Sequence, residues 1–207
     1  MEDVLDLYEK SYDPKHPVIC FDERPCQLIG DAVIPIPMKS GSPKKEHYEY
    51  VRNGTCCIFM AFEPQAGKRI VCVKKHRTKV DYANFMKELA DQYPHAESIQ
   101  LVQDNLNTHT AGSFYVVLPP DEAFELAKKF EFHFTPKKGI WLNMAEIELS
   151  ALSKQCLDRR IETLEKLAAE VDSWEQERNA SKATVRWKFN KNDARIKLQR
   201  HYFNLQK

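Results

Sequence analysis

The chain has 207 residues, 43% of them hydrophobic, and sets 31 Lys and Arg against 30 Asp and Glu for a net charge of +1. It is long enough to bury a sizeable core as one α/β or α+β domain. Its overall charge identifies neither a nucleic-acid binder nor an acidic partner, so local clusters must carry any such claim.

In chain order, "HPVICFDERP" (16–25) reads as a short apolar strand that runs into a carboxylate, Asp22. "QLIGDAVIPIPM" (27–38) reads as a second extended segment, confined by its prolines to a sheet edge. After the polar, basic loop 40–47, "YEYVRNGTCCIFMAFEP" (48–64) holds a turn signal at Asn53-Gly54 and then a fully apolar strand, with which "GKRIVCVKKH" (67–76) pairs as a hairpin. From Thr78 the period changes to helical, and Val80, Tyr82, Phe85, Met86 and Leu89 share one face behind a Thr cap. A strand at 98–104 ends on Asp104. "PPDEAFELAKKF" (119–130) is a short helix with Ala123, Phe124, Leu126, Ala127 and Phe130 as its apolar set. "EFHFTP" (131–136) is another strand, and 143–179 is helical by propensity with a break near Arg159–Glu162.

Antiparallel hairpins followed by α/β alternation predict a mixed five-stranded sheet flanked by helices, the ribonuclease-H-like arrangement, if 16–25 and 27–38 form one irregular edge region. A generic α+β domain satisfies the periodicity as well. The six cysteines form no Cys-x-x-Cys pair and lie mostly in apolar stretches, as expected of buried, reduced thiols. No apolar run reaches the ~20 residues of a membrane helix, and the first residues lack a signal-peptide pattern, so the expected setting is the cytoplasm with no membrane partner.

In an open sheet, ligands collect beyond the strand ends where neighbours diverge. Asp22 and Asp104 could meet there, and a third acid from the helix near Asn143 would complete an oxygen-rich site. Carboxylates held together repel one another unless a proton or a cation compensates. Hard oxygen ligands suit Mg²⁺ or Mn²⁺, and two such ions roughly 3.5–4 Å apart can drive in-line attack on a phosphodiester. Taken singly, each acid reads better as a turn residue or a solvated helix residue; the reading as a site rests on all three together with the element order.

The blocks "CFDERPCQLIGD", "QLVQDNLNTHT" and "TPKKGIWLNMAEIELSALSKQCLDRRI" resemble the catalytic domain of DDE transposases from bacterial insertion sequences allied to the mariner superfamily. The resemblance extends from about Pro17 to "DARIKLQRHYF". It implies a ribonuclease-H-like fold that cuts double-stranded DNA at terminal inverted repeats and joins the freed 3′-hydroxyl to target DNA, using Mg²⁺ or Mn²⁺, two ions in all, and no covalent intermediate. Carried over, the family's acids fall on Asp22, Asp104 and Glu146 as catalytic residues and metal ligands. Glu148 stands two positions from Glu146, about 200° away on a helix, so the two cannot serve one ion. Periodicity does not choose between them, whereas the family's Leu-Asn dipeptide with an acid three residues after the Asn selects Glu146. The interval of 42 residues from Asp104 exceeds that of shorter mariner relatives, and the helix at 119–130 accounts for the excess.

Asn105, His109 and Asn143 match supporting positions beside these acids, although a lone His there is more often a structural hydrogen-bonder. Lys137 and Lys138 precede Glu146 and are candidates for DNA phosphates, as are Lys74, Lys75 and Arg77 in "VKKHRTK", a run that reads equally as a solvated turn. Trp141 reads as an anchor for its helix before a base-stacking platform. The basic, aromatic tail with Trp187, Phe189, Tyr202 and Phe203 suits either a DNA grip or a terminal helix.

The expected organisation is a lead-in (1–16), a catalytic domain (17–179) and a basic C-terminal extension (180–207). Fewer than twenty residues precede the first strand, too few for the helix-turn-helix modules of such transposases, so sequence-specific end recognition is expected from elsewhere. A homodimer is among the partners open to the chain. The alternative function is a catalytically idle or regulatory fragment that binds DNA or a transposase. A ribonuclease or resolvase on the same fold is a third reading.

Overall fold

The computed structural model describes residues 1–204, without the side chains of His201, Phe203 and Asn204, so Phe203 lies outside what is described. A five-stranded sheet has the order β3-β2-β1-β4-β5. β1 (Val18–Asp31), β2 (Tyr50–Glu63) and β3 (Lys68–Lys74) are antiparallel neighbours. β4 (Ile99–Gln103) and β5 (Phe130–Phe134) add in parallel, β4 on the other side of β1, after the crossover helices α2 (Lys79–Asp91) and α3 (Pro120–Lys128). α1 (Glu2–Glu9) precedes the sheet, and α4 (Ala145–Gln155), α5 (Leu164–Ala180), α6 (Lys191–Lys197) and α7 (Gln199–Asn204) follow it.

Strand alternation sorts the core into two layers. On one face Cys20, Ile58, Met60, Phe62 and Val102 meet α1, α4 and α5 through Leu5, Leu7, Leu149, Leu152, Leu167 and Val171. On the other, Ile19, Phe21, Phe59, Ile99 and Leu101 meet α2 and the 3-10 turn Ala111–Val116 through Tyr82, Phe85, Met86, Leu89 and Phe114. Helices cover both faces, which is why β2 reads as a continuous apolar run instead of alternating.

Four expectations are corrected. Residues 27–31 are not a separate edge strand; they continue β1, the middle strand of the sheet, and 32–49 form the connection to β2. Pro25 is tolerated because β1 has left β4 after Cys20 and keeps only β2 as a neighbour there. Asn53-Gly54 makes no hairpin turn. Leu28 pairs with Gly54 and Ile29 with Arg52, so Asn53 is the extra residue of a β-bulge, with Gly54 at φ +118°. The helix after Thr78 forms with the expected cap, a reciprocal box with Asp81, but Val80 faces solvent and Ala83 takes its place inside. Phe124 of α3 is likewise exposed.

The helical stretch 143–179 breaks between Gln155 and Leu164, as expected. All six cysteines are free. α1 buries Val4, Leu5 and Leu7, and its Tyr8 hydroxyl donates to the Leu142 carbonyl at 2.8 Å. The tail folds back on this helix through Lys191 with Asp6 and Arg195 with Glu2. No helix among the described residues is long and apolar enough to cross a membrane.

Candidate active site

The site is built where β1 and β4 part. Their last parallel pair is Cys20 with Val102, and Asp22 and Asp104 each stand two residues further on. Even alternation carries Asp22 to the α4 face of the sheet, and Asp104 begins the loop that follows β4.

Both oxygens of Asp22 are held. Oδ1 accepts from the Glu23 backbone N–H at 2.8 Å and Oδ2 from Asn143 Nδ2 at 3.1 Å. Asn143 is itself buried, donates to the Phe21 carbonyl at 2.8 Å, and accepts from the Ala145 N–H through Oδ1 at 3.2 Å. One amide thus meets the first helical N–H of α4, ahead of the N-cap Met144, and ties the helix to β1. Burial, reinforced by the charges of Glu146 and Asp104 and lastly Glu23, pushes the Asp22 carboxyl up to about 7, against the backbone hydrogen bond from Glu23. Among the described residues no Lys or Arg forms an ion pair with Asp22.

Glu146 sits in the first turn of α4 and is exposed, where a carboxylate also suits the helix dipole. It borders a cleft of about 420 Å³ shared with Glu23, Arg24, Ser150, Ser153 and Lys154. Glu148 points the other way, fully buried, and pairs with Arg69 Nε at 2.8 Å and with Arg178 Nε and Nη2 at 3.1 Å. The two glutamates that helical periodicity left undivided therefore serve different partners.

On the opposite face, His109 places Nδ1 2.5 Å from Asp104 Oδ1 and Nε2 2.5 Å from Glu23 Oε2. Burial works against the protonated ring, but the carboxylates of Asp104 and Glu23 outweigh it and push the ring up to about 9. Tyr82 stacks on the ring at 4.9 Å, and Gln103 links the Tyr82 hydroxyl to the His109 carbonyl. Sequence reasoning missed Glu23. Its signal is an acid directly after Asp22 in a strand, which alternation sends to the other face.

Among the basic residues, Arg77 reaches the site, with Nη1 3.7 Å from Glu23 Oε1, and shares a cleft of about 300 Å³ with Asn105, Asn107 and Thr108. Lys74 turns to Glu88 at 3.5 Å, while Lys75, Lys137 and Lys138 are exposed on loops. Trp141 is 46% exposed and stacks on Trp187, so it joins the tail to the segment before α4 without entering the core.

The donor set suits a hard divalent cation, three carboxylates whose mutual repulsion is uncompensated at Asp22. Among the described residues no three Asp, Glu, His or Cys side chains are already close enough to enclose an ion, so binding requires the carboxylates to draw in.

A mixed 3-2-1-4-5 sheet with one acid on its first strand, one just past its fourth and one on α4 defines a ribonuclease-H-like fold with an acidic site where β1 and β4 part. Residues 17–168 match the family model of the DDE superfamily endonucleases, and the chain belongs to that family. The fold is similar to that in the crystal structure of the Mos1 mariner paired end complex with Mn, with a TM-score of 0.57 and 15% identity over 88% of this chain and 55% of that one. A Mos1 transposase paired-end complex with left transposon end matches with a TM-score of 0.33 and 15% identity over 90% of this chain and 61% of that one. The chain thus spans about half the length of the first of these structures. No curated protein sequence matches it.

Proposed function

We propose that this chain is the catalytic domain of a DNA transposase of the insertion-sequence type, which cleaves phosphodiester bonds at transposon ends and transfers the 3′-hydroxyl into target DNA. The observation that supports this reading best is the end of the β1–β4 pairing at Cys20 and Val102, with Asp22 and Asp104 each two residues beyond it and Asn143 tying Asp22 to the start of α4, which carries Glu146. Asp22, Asp104 and Glu146 would hold Mg²⁺ or Mn²⁺, two ions in the full site. Divalent ions so held supply Lewis-acid activation of the attacking oxygen and stabilise the leaving one.

The chain's own residues have separate tasks in this reading. Asn143 and the Glu23 N–H orient the Asp22 carboxylate, and His109 holds one oxygen of Asp104. Arg77 with Asn105 on one side, and Lys75, Lys137 and Lys138 on exposed loops, offer contacts to the phosphates of double-stranded DNA. Residues 17–179 make the catalytic domain, and 180–207 are a basic C-terminal extension of it. The protein works on DNA in the bacterial cytoplasm, at the nucleoid, with a second copy bridging the two transposon ends.

The test is Mg²⁺- or Mn²⁺-dependent nicking of DNA carrying the element's inverted repeats, by the full chain and by Asp104→Asn. Loss of nicking in the variant is expected, and equal cleavage by both overturns the assignment. The spacing of the carboxylates, open as they stand, favours a second reading, a regulatory fragment that binds DNA or a transposase without cutting. Retained DNA binding with no nicking in either metal supports that reading.

A further inference from the structure

Glu23 follows Asp22 in β1, and its side chain leaves the opposite face of the sheet. That side chain is buried, 3% exposed. Among the described residues no donor meets ordinary hydrogen-bond geometry at either of its oxygens. Its compensation is ionic, His109 Nε2 at 2.5 Å from Oε2 and the largely exposed Arg77 at 3.7 Å from Oε1. A carboxylate withdrawn from water with so little in return carries a cost that a merely space-filling residue would avoid.

The arrangement beyond Glu23 gives that cost a purpose. The far nitrogen of the same ring meets Asp104 Oδ1 at 2.5 Å, and the ring lies between Tyr82, stacked at 4.9 Å, and the edge of Phe21 at 5.2 Å. The aromatic pair fixes the plane of the imidazole but leaves rotation within that plane open. Acceptors at both nitrogens close it. Asp104 stands in the loop after β4, where no strand partner fixes its side chain, so the ring decides where its carboxylate points.

We infer that Glu23 is a positioning residue for the divalent-cation site: it braces His109 from behind, and His109 fixes Oδ1 of Asp104 so that Oδ2 is presented to the ion. The inference rests on the metal-dependent reading above and adds a partner to it. Groups that orient a metal's ligands typically change affinity by about 10- to 100-fold when removed.

The experiment measures Mn²⁺ affinity of the full chain by electron paramagnetic resonance, for Glu23→Met, His109→Ala, the double variant and Glu23→Gln, each checked for folding by circular dichroism. Glu23→Met keeps the volume and removes the acceptor. It and His109→Ala are each expected to weaken Mn²⁺ binding about 10-fold or more, and the double variant to bind no more weakly than His109→Ala, because residues acting through one another are not additive. Glu23→Gln, which retains an acceptor for Nε2–H, is expected to recover most of the affinity. If Glu23→Met does not fold, Glu23→Gln against His109→Ala decides: affinity as poor as that of His109→Ala overturns the inference. Binding by Glu23→Met within two-fold of wild type, or a loss that adds in full to that of His109→Ala, overturns it too.

Two further measurements separate this inference from the reading beneath it. Asp104→Asn with undiminished Mn²⁺ affinity removes the metal site and the inference together. In metal-free protein, the nitrogen-bound ring proton of His109 facing Asp104 is expected to give a slowly exchanging resonance that Glu23→Met loses. Its persistence in Glu23→Met overturns the bracing alone.

Discussion

Asn143 donates one amide hydrogen to the Phe21 carbonyl and the other to Asp22 Oδ2, while its oxygen accepts from the first N–H of α4, so a single buried side chain couples the central strand to the helix that carries Glu146. Asn143→Ala leaves a buried carbonyl and a helix start without partners. The expected loss is about 1–3 kcal/mol of stability, the cost of orphaned buried groups, together with loss of metal-dependent nicking. Urea unfolding and a cleavage assay on the same preparation check both parts.

The two glutamates of α4 make opposite predictions. Glu148→Ala leaves Arg69, itself fully buried, without its carboxylate, and breaking a buried pair in this way costs about 3–5 kcal/mol. Glu146→Gln alters an exposed first-turn residue and is expected to stay within about 0.5 kcal/mol of wild type while abolishing nicking. Denaturant midpoints that rank the two variants the other way contradict the division of labour drawn here.

Acid should act on the same pair. Burial alone would raise the Glu148 carboxyl, but Arg69 and Arg178 outweigh it and hold the group below its ordinary value of 4.5. The unfolded chain therefore binds this proton more readily than the folded one. The stabilisation is complete above about pH 4.5 and is lost as pH falls through the lower folded value. The gap in Tm between wild type and Glu148→Gln is expected to be wide at pH 7 and to narrow below pH 4. A gap independent of pH argues against the ion pair as its source.

Much of this architecture was legible because its determinants are local. The strand ahead of Asp104, the Thr78 box and the break after Gln155 each depend on neighbours a few residues away. What was misread depends on distant partners. Asn-Gly favours a tight turn only when both strands end there, and here β1 continues opposite it, so the same backbone freedom makes a bulge at Asn53. Pro35 and Pro37 suggested an edge for 27–38, yet both lie in the connection after Asp31, while 27–31 continue the middle strand. Glu23 was passed over because its meaning comes from His109, 86 residues later.

For DNA binding, the salt dependence of affinity separates the basic residues. Each of Arg77→Ala, Lys137→Ala and Lys138→Ala is expected to reduce the slope of log K against log[salt] by about 0.9, the value for one phosphate contact on duplex DNA. Lys74→Ala is expected to leave the slope unchanged, since that side chain is engaged with Glu88. Fluorescence anisotropy across a salt series reads the slopes directly.

The hydroxyl of Tyr8 lies against Cys20 and the Leu142 carbonyl, the residue before Asn143, although family likeness begins only at Pro17. The stretch that evolution makes recognisable is thus shorter than the stretch that folding requires. A version trimmed to start at Pro17 would keep Asp22, Asp104 and Glu146 and lose the floor beneath one of them, so inactivity in such a truncation would report on a missing helix and not on the chemistry.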